Sequence, residues 1–200
     1  MVSSGLIDRV DVSHFRLSVH LIIAFLIISL ILWNFFILKI QNKLDKNLKY
    51  FLPLIFLILI YCQIILGAFV SGMDAGKIYN SWPLMGSNFF PDDNNFANLF
   101  NFSAFSDPSL VQFMHRNLAY IIFIFYLILM IKIYINKLTG LYYAINLVGL
   151  LLIIQIILGI VTLLYGAQIL LASMHQISSI FLVSSSVYFL YLNTKQKTST

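Results

Sequence analysis

The sequence predicts an all-α integral membrane protein with five transmembrane helices. Hydrophobic residues make up 60% of the chain and charged residues only 10%, whereas a soluble domain carries roughly 25% charged residues. The apolar residues are gathered in long stretches, and the lysines lie in short clusters between them. In lipid, a helix satisfies its own backbone hydrogen bonds, which makes it the simplest spanning structure.

Five apolar stretches are long enough to cross a bilayer, which takes about 20 residues. They cover residues 17–38, 51–72, 111–131, 141–165 and 168–192. The last two belong to one region, from Leu138 to Thr194, that contains no charged residue. That region is too long for a single span, so we expect a tight turn near Gly166.

The lysines predict which helix ends share a side of the membrane. Eight of the nine lysines lie between spans one and two, between spans three and four, and after span five: Lys39, Lys43, Lys46, Lys49, Lys132, Lys137, Lys195 and Lys197. In a five-span chain these three regions share one side, which is therefore the cytoplasm or matrix. The outer side holds the N-terminus, the 73–110 loop and the Gly166 turn. The net charge of +5 thus reflects the membrane boundary and does not indicate nucleic acid.

Three of the four histidines are expected at one depth of the membrane. His20, His115 and His175 each lie near the start of an odd-numbered span, and all three of these spans start on the outer side. His14 lies just outside span one. A single intramembrane histidine can simply bridge two helices by hydrogen bonding. Three at a matched depth favour a functional role, because polar groups in lipid are costly. Metal or haem ligation and a proton path are the two readings.

Haem suits this pattern better than a bare metal ion. Imidazole binds iron, copper and zinc, but a compact metal site would want further Cys, Asp or Glu ligands at the same depth. Haem supplies four nitrogens itself and needs one or two axial histidines. Small residues one helical turn from the histidines would leave room for the macrocycle, although small residues also serve ordinary helix packing. They are Ala119, Ala172, Ser178 and Ser179.

Two arginines accompany these histidines. Arg16 precedes His20 by four residues and so shares its helix face, and Arg116 adjoins His115. Arginine binds carboxylates in a bidentate manner, and haem propionates are carboxylates. The alternative is that the side chains extend to the lipid headgroups.

The chain contains a weak internal repeat. Residues 63–67 in span two read Gln-Ile-Ile-Leu-Gly, and residues 155–159 in span four repeat this string. Both spans run toward the outer face, so the match has the same polarity. The repeat suggests a duplicated helical unit, as in many membrane folds.

Several strings resemble the haem A synthase family in its proteobacterial and mitochondrial form. They are Gly67–Gly76 (GAFVSGMDAG), Tyr79–Met85 (YNSWPLM), Gln112–Arg116 (QFMHR), the pair His175-Gln176, Ser4–Leu6 and Val12–His20. The resemblance covers nearly the whole chain, and the Tyr79–Met85 string is its most specific part.

The resemblance implies an eight-span fold built from two four-helix halves. This chain looks like the family's span four, in residues 1–50, followed by a C-terminal four-helix haem b half in residues 51–195. The family's second-span motif, with a glutamate and a histidine, would belong to the three missing spans. The chain contains no glutamate, so no catalytic residue is assigned. The family pattern makes His115 and His175 iron ligands of haem b, with Arg116 beside them. It makes His20, with Arg16, the surviving ligand of the substrate haem.

The expected function is therefore that of a haem A synthase, an oxidoreductase that converts haem O to haem A by oxidising a ring methyl to a formyl group. A non-enzymatic membrane b-type cytochrome and a small transporter or assembly factor are the alternatives. This chain alone is expected to be inactive. Expected partners are haem O, the lipid bilayer, an unknown electron donor, and haem O synthase or cytochrome oxidase assembly factors. The expected location is the bacterial inner membrane, or otherwise the mitochondrial inner membrane.

Overall fold

A computed structural model describes residues 13–40 and 47–194 of the chain. Five long helices account for most of these residues: α1 (His14–Lys39), α2 (Phe51–Gly72), α3 (Pro108–Ile135), α4 (Tyr142–Leu164) and α5 (Ile169–Thr194). All five are long and apolar enough to cross a membrane. The predicted all-α fold with five spans is confirmed, and no strand occurs in the described ranges. The string at residues 4–6 and the lysines at 43, 46, 195 and 197 lie outside them.

The ends of the helices follow local sequence signals. The α3 helix starts three residues before the predicted span because Asp107 caps it and accepts a hydrogen bond of 3.1 Å from the Leu110 amide. Pro108 then occupies the first turn, where its missing N–H costs nothing. The predicted turn between α4 and α5 is present, and Gly166 adopts a positive φ of 68° there. That backbone conformation is accessible to glycine without strain.

Helices α2 to α5 form a four-helix bundle. Helix α2 packs against α3 and α5, and helix α4 also packs against α3 and α5. Helices α3 and α5 are therefore diagonally opposite. Helix α1 lies outside this ring, packed against α2 and α5. Its inner face carries Phe25, Ser29 and Trp33; Ser29 hydrogen-bonds Tyr61 of α2, and Trp33 packs edge-on against Tyr191 of α5. The division at residue 50 into two units stays a proposal.

Side-chain hydrogen bonds tie the segments together at both ends of the bundle. At the lysine-rich end, Asn193 of α5 accepts from the Leu48 amide at 2.9 Å and donates to the Leu48 carbonyl at 3.1 Å. At the opposite end, Asn80 of the 73–110 loop donates to the Leu163 carbonyl of α4 at 2.9 Å. The 73–110 loop thus lies over the end of the bundle at which α3 and α5 begin.

The bundle is tightly packed at the lysine-rich end and more open at the loop end. The buried residues of α4 all fall between Ala144 and Leu152, and those of α5 fall between Leu182 and Asn193. Toward the loop end, both helices expose large apolar side chains, such as Ile157 at 54% and Ile177 at 56%. Such apolar surface is suited to lipid or to a large apolar ligand.

We expect a cysteine in the 73–110 loop to be labelled from outside the cell. In a Cys62→Ser background, Ser103→Cys should react with an impermeant maleimide added to intact cells, because Ser103 is exposed on the lysine-poor side. Thr139→Cys, exposed at the lysine-rich end, is the matched control and should react after permeabilisation. The reverse pattern would contradict the predicted topology.

Candidate functional site

Two histidines lie at matched positions on diagonally opposite helices. His115 is in the second turn of α3, His175 is in the second turn of α5, and both helices begin at the loop end of the bundle. Both side chains are partly buried, and each imidazole lies in the open half of the bundle. The structure thus places the two histidines that the sequence predicted as a pair at the same end of the bundle.

Each of these histidines is held by a glutamine on a neighbouring helix. Gln63 of α2 donates its side-chain amide to the His115 carbonyl at 3.0 Å and lies 3.3 Å from Nε2 of the ring. Gln155 of α4 makes the same two contacts with His175, at 3.0 and 3.4 Å. The carbonyl fixes the amide orientation, because only the NH₂ group can donate to it. Each glutamine therefore binds the backbone and the ring of one histidine at once.

A glycine lies against each imidazole one turn beyond the glutamine. A Cβ atom added to Gly67 would lie 3.2 Å from Cε1 of His115, and one added to Gly159 would lie 3.0 Å from Cε1 of His175. A side chain at either glycine would therefore push the ring away from its helix. The absence of a side chain lets each ring pack directly against the neighbouring backbone.

The internal sequence repeat therefore corresponds to a repeated structural arrangement around the two histidines. Gln63 and Gly67 meet His115 in the α2–α3 pair as Gln155 and Gly159 meet His175 in the α4–α5 pair. Reasoning from the sequence noted the repeat but assigned no role to its glutamines and glycines. The signal was present, because the glutamine and the glycine are the repeat's non-aliphatic residues. Only the packing of the helix pairs shows that they contact the histidines.

The small neighbours of the histidines have different roles. Ser178 donates a hydrogen bond to Oε1 of Gln155, and its hydroxyl lies 2.9 Å from the His175 carbonyl. Ser179 instead bonds the Gln176 carbonyl within its own helix. Gln176 does not face the histidine pair, because it lines a cavity of about 340 Å³ between α1 and α5 together with Ser173 and apolar residues. The His-Gln string is therefore divided between two faces of α5.

The histidine pair fits a haem with two axial imidazoles better than a bare metal ion. The Nδ1 atoms of His115 and His175 are buried and have no hydrogen-bond partner in the structure. No group of three or more His, Cys, Asp or Glu residues suited to a metal ion occurs within residues 13–40 and 47–194. Two imidazoles on opposite helices, in an apolar and open half-bundle, match the requirements of haem.

Arg116 holds the loop against α3. Its guanidinium donates to the carbonyls of Tyr79, Ser81 and Leu84 at 2.9, 2.9 and 3.2 Å. Gln112, one turn earlier on α3, also donates to the Tyr79 carbonyl, at 3.0 Å. The specific Tyr79–Met85 string thus folds over the start of α3. The Nε group of Arg116 is buried and has no hydrogen-bond partner. The predicted contact with a propionate stays a proposal, and it would be made by the N–H groups of Arg116 that do not bind the loop.

A second network attaches the loop next to this point. Asp93 accepts hydrogen bonds from the Tyr79 hydroxyl at 2.9 Å and from the Ser109 hydroxyl at 2.6 Å. Partial burial acts to raise the pKa of Asp93, but these hydrogen bonds outweigh it and lower the pKa below its usual value. Asp93 therefore stays ionised at neutral pH and keeps both hydroxyl donors engaged.

His20 and Arg16 lie on a different face of the molecule. Both are exposed, on the side of α1 that turns away from α2 and α5, together with Ile23 and Ile27. The structure does not bring His20 to the His115–His175 pair. His14 is separate again: it packs against Phe69 of α2, with ring centroids 5.2 Å apart. One histidine on an exposed helix face and two inside the bundle occupy two distinct positions.

The fold and the site together define a class: a multi-pass helical membrane protein with a pair of imidazoles inside a four-helix bundle. Comparison with known proteins is consistent with this class. A sequence profile of the COX15-CtaA family, described as cytochrome oxidase assembly protein, matches residues 1–187. The chain therefore belongs to the COX15-CtaA family, which confirms the family suggested by the sequence strings.

Curated relatives of this chain are named "Heme A synthase". The protein of Pelagibacter ubique (strain HTCC1062) is 43% identical over 194 residues, which are 97% of this chain and 57% of the relative. The protein of Wolbachia pipientis wMel is 42% identical over 210 residues, with coverage of 100% and 56%. That of Rickettsia felis is 40% identical over 200 residues, with coverage of 96% and 58%. The chain thus spans somewhat more than half the length of these relatives. No solved structure matches it.

Proposed function

We propose that this chain is the haem b-binding half of a haem A synthase and takes part in the conversion of haem O to haem A. The observation that carries the proposal is the repeated arrangement of Gln63, His115, Gln155 and His175 around the open half of the bundle. The names of the relatives support the same activity and do not favour the alternative of an electron-transfer cytochrome without synthase activity.

In this proposal the bundle provides an electron-transfer site. His115 and His175 would hold the haem, which would supply one-electron chemistry. The chain's own contribution is positional: His115 and His175 lie at the same end of α3 and α5, on opposite sides of the bundle. The Arg116–loop network lies over this end of the bundle. In this proposal it would limit the access of water to the two imidazoles and so preserve the low polarity around them.

Substrate haem O is assigned to the exposed face of α1. His20 would bind its iron, and Arg16, one turn earlier and also exposed, would bind a propionate. No acidic side chain of the described residues lies within the spanning helices, so these helices offer no catalytic carboxylate. The matched relatives are bacterial, which supports a bacterial inner membrane location over the mitochondrial one.

The proposed function predicts that this chain can replace the matching part of a relative. A chimera that joins the N-terminal part of the Pelagibacter ubique relative to residues 1–200 should produce haem A in a host that makes haem O but lacks its own synthase. Extracted pigments would be separated by chromatography. A chimera that binds haem b, reaches the membrane and still yields no haem A, while the intact relative does, would contradict the proposed function.

A further inference from the structure

The 73–110 loop carries an exposed aromatic surface, formed by Phe96, Phe100 and Phe102. These side chains are 58%, 81% and 79% exposed, and they belong to two consecutive 3₁₀ helices. Residues 94–106 contain no charged side chain. Contiguous apolar surface of this kind is unfavourable in water and commonly marks an interaction site.

Hydrogen bonds hold this segment as a closed loop. Asn94 donates to the carboxylate of Asp107 at 3.1 Å, which joins the two ends of the segment at the start of α3. Asn98 donates back to Asn94 at 3.1 Å, and Asn95 accepts from the Ala97 amide at 3.2 Å. The exposed phenyl groups therefore project from an ordered base that is attached to the bundle.

Ring contacts show how deep one end of the aromatic surface lies. Phe102 packs against Phe105, with ring centroids 5.9 Å apart. Phe105 in turn packs edge-on against Phe69, with centroids 6.3 Å apart. Since Phe69 belongs to the last turn of α2, Phe102 lies close to the level at which this spanning helix ends.

A second series of ring contacts places the other end of the surface at a similar level. Phe100 packs against Phe96, and Phe96 packs against Phe90, with centroids 5.8 Å apart in both pairs. Phe90 lies 4.9 Å from Phe113, which is in the second turn of α3. The aromatic surface is thus level with the outer ends of two spanning helices, where aromatic rings are favourable next to lipid headgroups.

The second 3₁₀ helix of the loop has an apolar and a polar side. A 3₁₀ helix has three residues per turn, so Phe102 and Phe105 share one side, and Ser103 and Ser106 share another. Both serines are exposed, whereas Ala104 is buried on the third side. An apolar side next to a solvated polar side is typical of segments that lie in a membrane interface.

We propose that the aromatic surface inserts into the leaflet on the loop side of the membrane and anchors the 73–110 loop to lipid. Lipid suits this surface because residues 94–106 offer no charge to a protein partner and lie level with helix ends that are themselves in the bilayer. The serine side of the second 3₁₀ helix stays in water. The lipid contact supports the loop on one side, and the hydrogen bonds of Arg116 hold it to α3 on the other.

Tryptophan fluorescence in lipid vesicles tests this contact. In a Trp33→Phe/Trp82→Phe background, Phe102→Trp provides the one tryptophan of the full chain, reconstituted in phosphatidylcholine vesicles. Lipids brominated at defined acyl carbons should quench its emission. The loss should be greater with bromine near the headgroup than near the chain end, because interfacial segments enter the acyl region by only about 5–10 Å. Phe100→Trp should behave in the same way.

Ser103→Trp is the matched control, because it places the same reporter one residue away on the polar side. Its emission maximum should lie at a longer wavelength than that of Phe102→Trp. Aqueous iodide should quench it, whereas brominated lipid should not, since an ion does not enter the apolar layer. Ser106→Trp, on the same side, serves if Ser103→Trp does not fold.

Each result decides the proposal. Quenching of Phe102→Trp by brominated lipid, with quenching of the serine-side variant by iodide, supports the anchor. If iodide quenches both and lipid quenches neither, the aromatic surface faces water and the proposal is refuted. If neither quencher reaches Phe102→Trp, protein covers the surface, as in contact with a second copy, and the proposal is refuted as well.

Discussion

Replacing either His115 or His175 with alanine should reduce the haem content of the purified protein to below about a tenth of the wild-type value, because each removes an axial ligand. The two side chains project from α3 and α5, with the tight core of the bundle on the lysine-rich side of them. No other histidine of the described residues reaches this pair, since His14 packs on Phe69 and His20 is exposed on α1. A lost ligand therefore has no substitute.

The spectrum of the remaining haem should change as well. Any haem retained by a single-alanine variant would carry one imidazole in place of two, so its low-spin signature should disappear. His14→Ala is the matched control and should keep the wild-type spectrum. Added imidazole should restore a low-spin spectrum to His115→Gly, because a free ligand can enter the space left by the ring. Unchanged low-spin spectra in both alanine variants would refute the assignment of the ligands.

A polypeptide limited to these 200 residues should bind haem b but make no haem A. The bundle of α2 to α5 has its own packed core and both proposed axial ligands, so we expect it to close around the cofactor. The proposed substrate face of α1 is different, because His20 and Arg16 lie on an exposed helix surface. One helix cannot orient a haem or keep water from it.

Proton handling is also missing from this face. The described aspartates, Asp74, Asp92, Asp93 and Asp107, all lie outside the spanning helices. General acid–base catalysis by a positioned group contributes a factor on the order of 10²–10⁴. Correct placement of the reacting groups contributes more still. The loss of both should leave haem A at the level of the empty vector.

The measurement uses a host that produces haem O and lacks a synthase. Pigments extracted from cells that express the 200-residue polypeptide would be compared with those from the chimera described above and with the empty vector. Haem A above the vector level from the polypeptide alone would overturn the half-enzyme interpretation. Restoration by co-expression of the relative's N-terminal part would show that the missing activity comes from missing helices and not from misfolding.

The number and limits of the spans, and the alternation of apolar spans with polar connections, follow from the sequence composition. The reason is that a bilayer requires every crossing segment to be long and apolar. For that reason the predicted span 51–72 coincides with α2, and the other predicted limits lie within four residues of the observed ones. The common depth of His20, His115 and His175 follows as well, because each lies near the start of a helix that begins at the same end. Depth along a helix is a one-dimensional property, and a sequence determines it directly.

Which of these groups meet is decided by packing. The position of each residue around its helix axis places His115 and His175 inside the bundle and turns His20 outward. Counting residues from the membrane surface gives the depth of a side chain but not the direction in which it faces. The structure shows that the Arg116 side chain holds three loop carbonyls, because the 73–110 loop folds back over α3; its predicted contact with a propionate stays a proposal. Loop geometry of this kind depends on long-range contacts that local sequence patterns do not encode.

The clearest division concerns the repeated Gln-Ile-Ile-Leu-Gly string. The sequence by itself determined that two spans share it with the same polarity, and that four spans could form a duplicated unit. Only the tertiary structure decided that Gln63 and Gln155 each bind the backbone and ring of a histidine on the adjacent helix. The physical reason is that a side-chain amide bonds whatever the neighbouring helix presents. That neighbour is set by the crossing of α2 with α3 and of α4 with α5, 52 and 20 residues away along the chain.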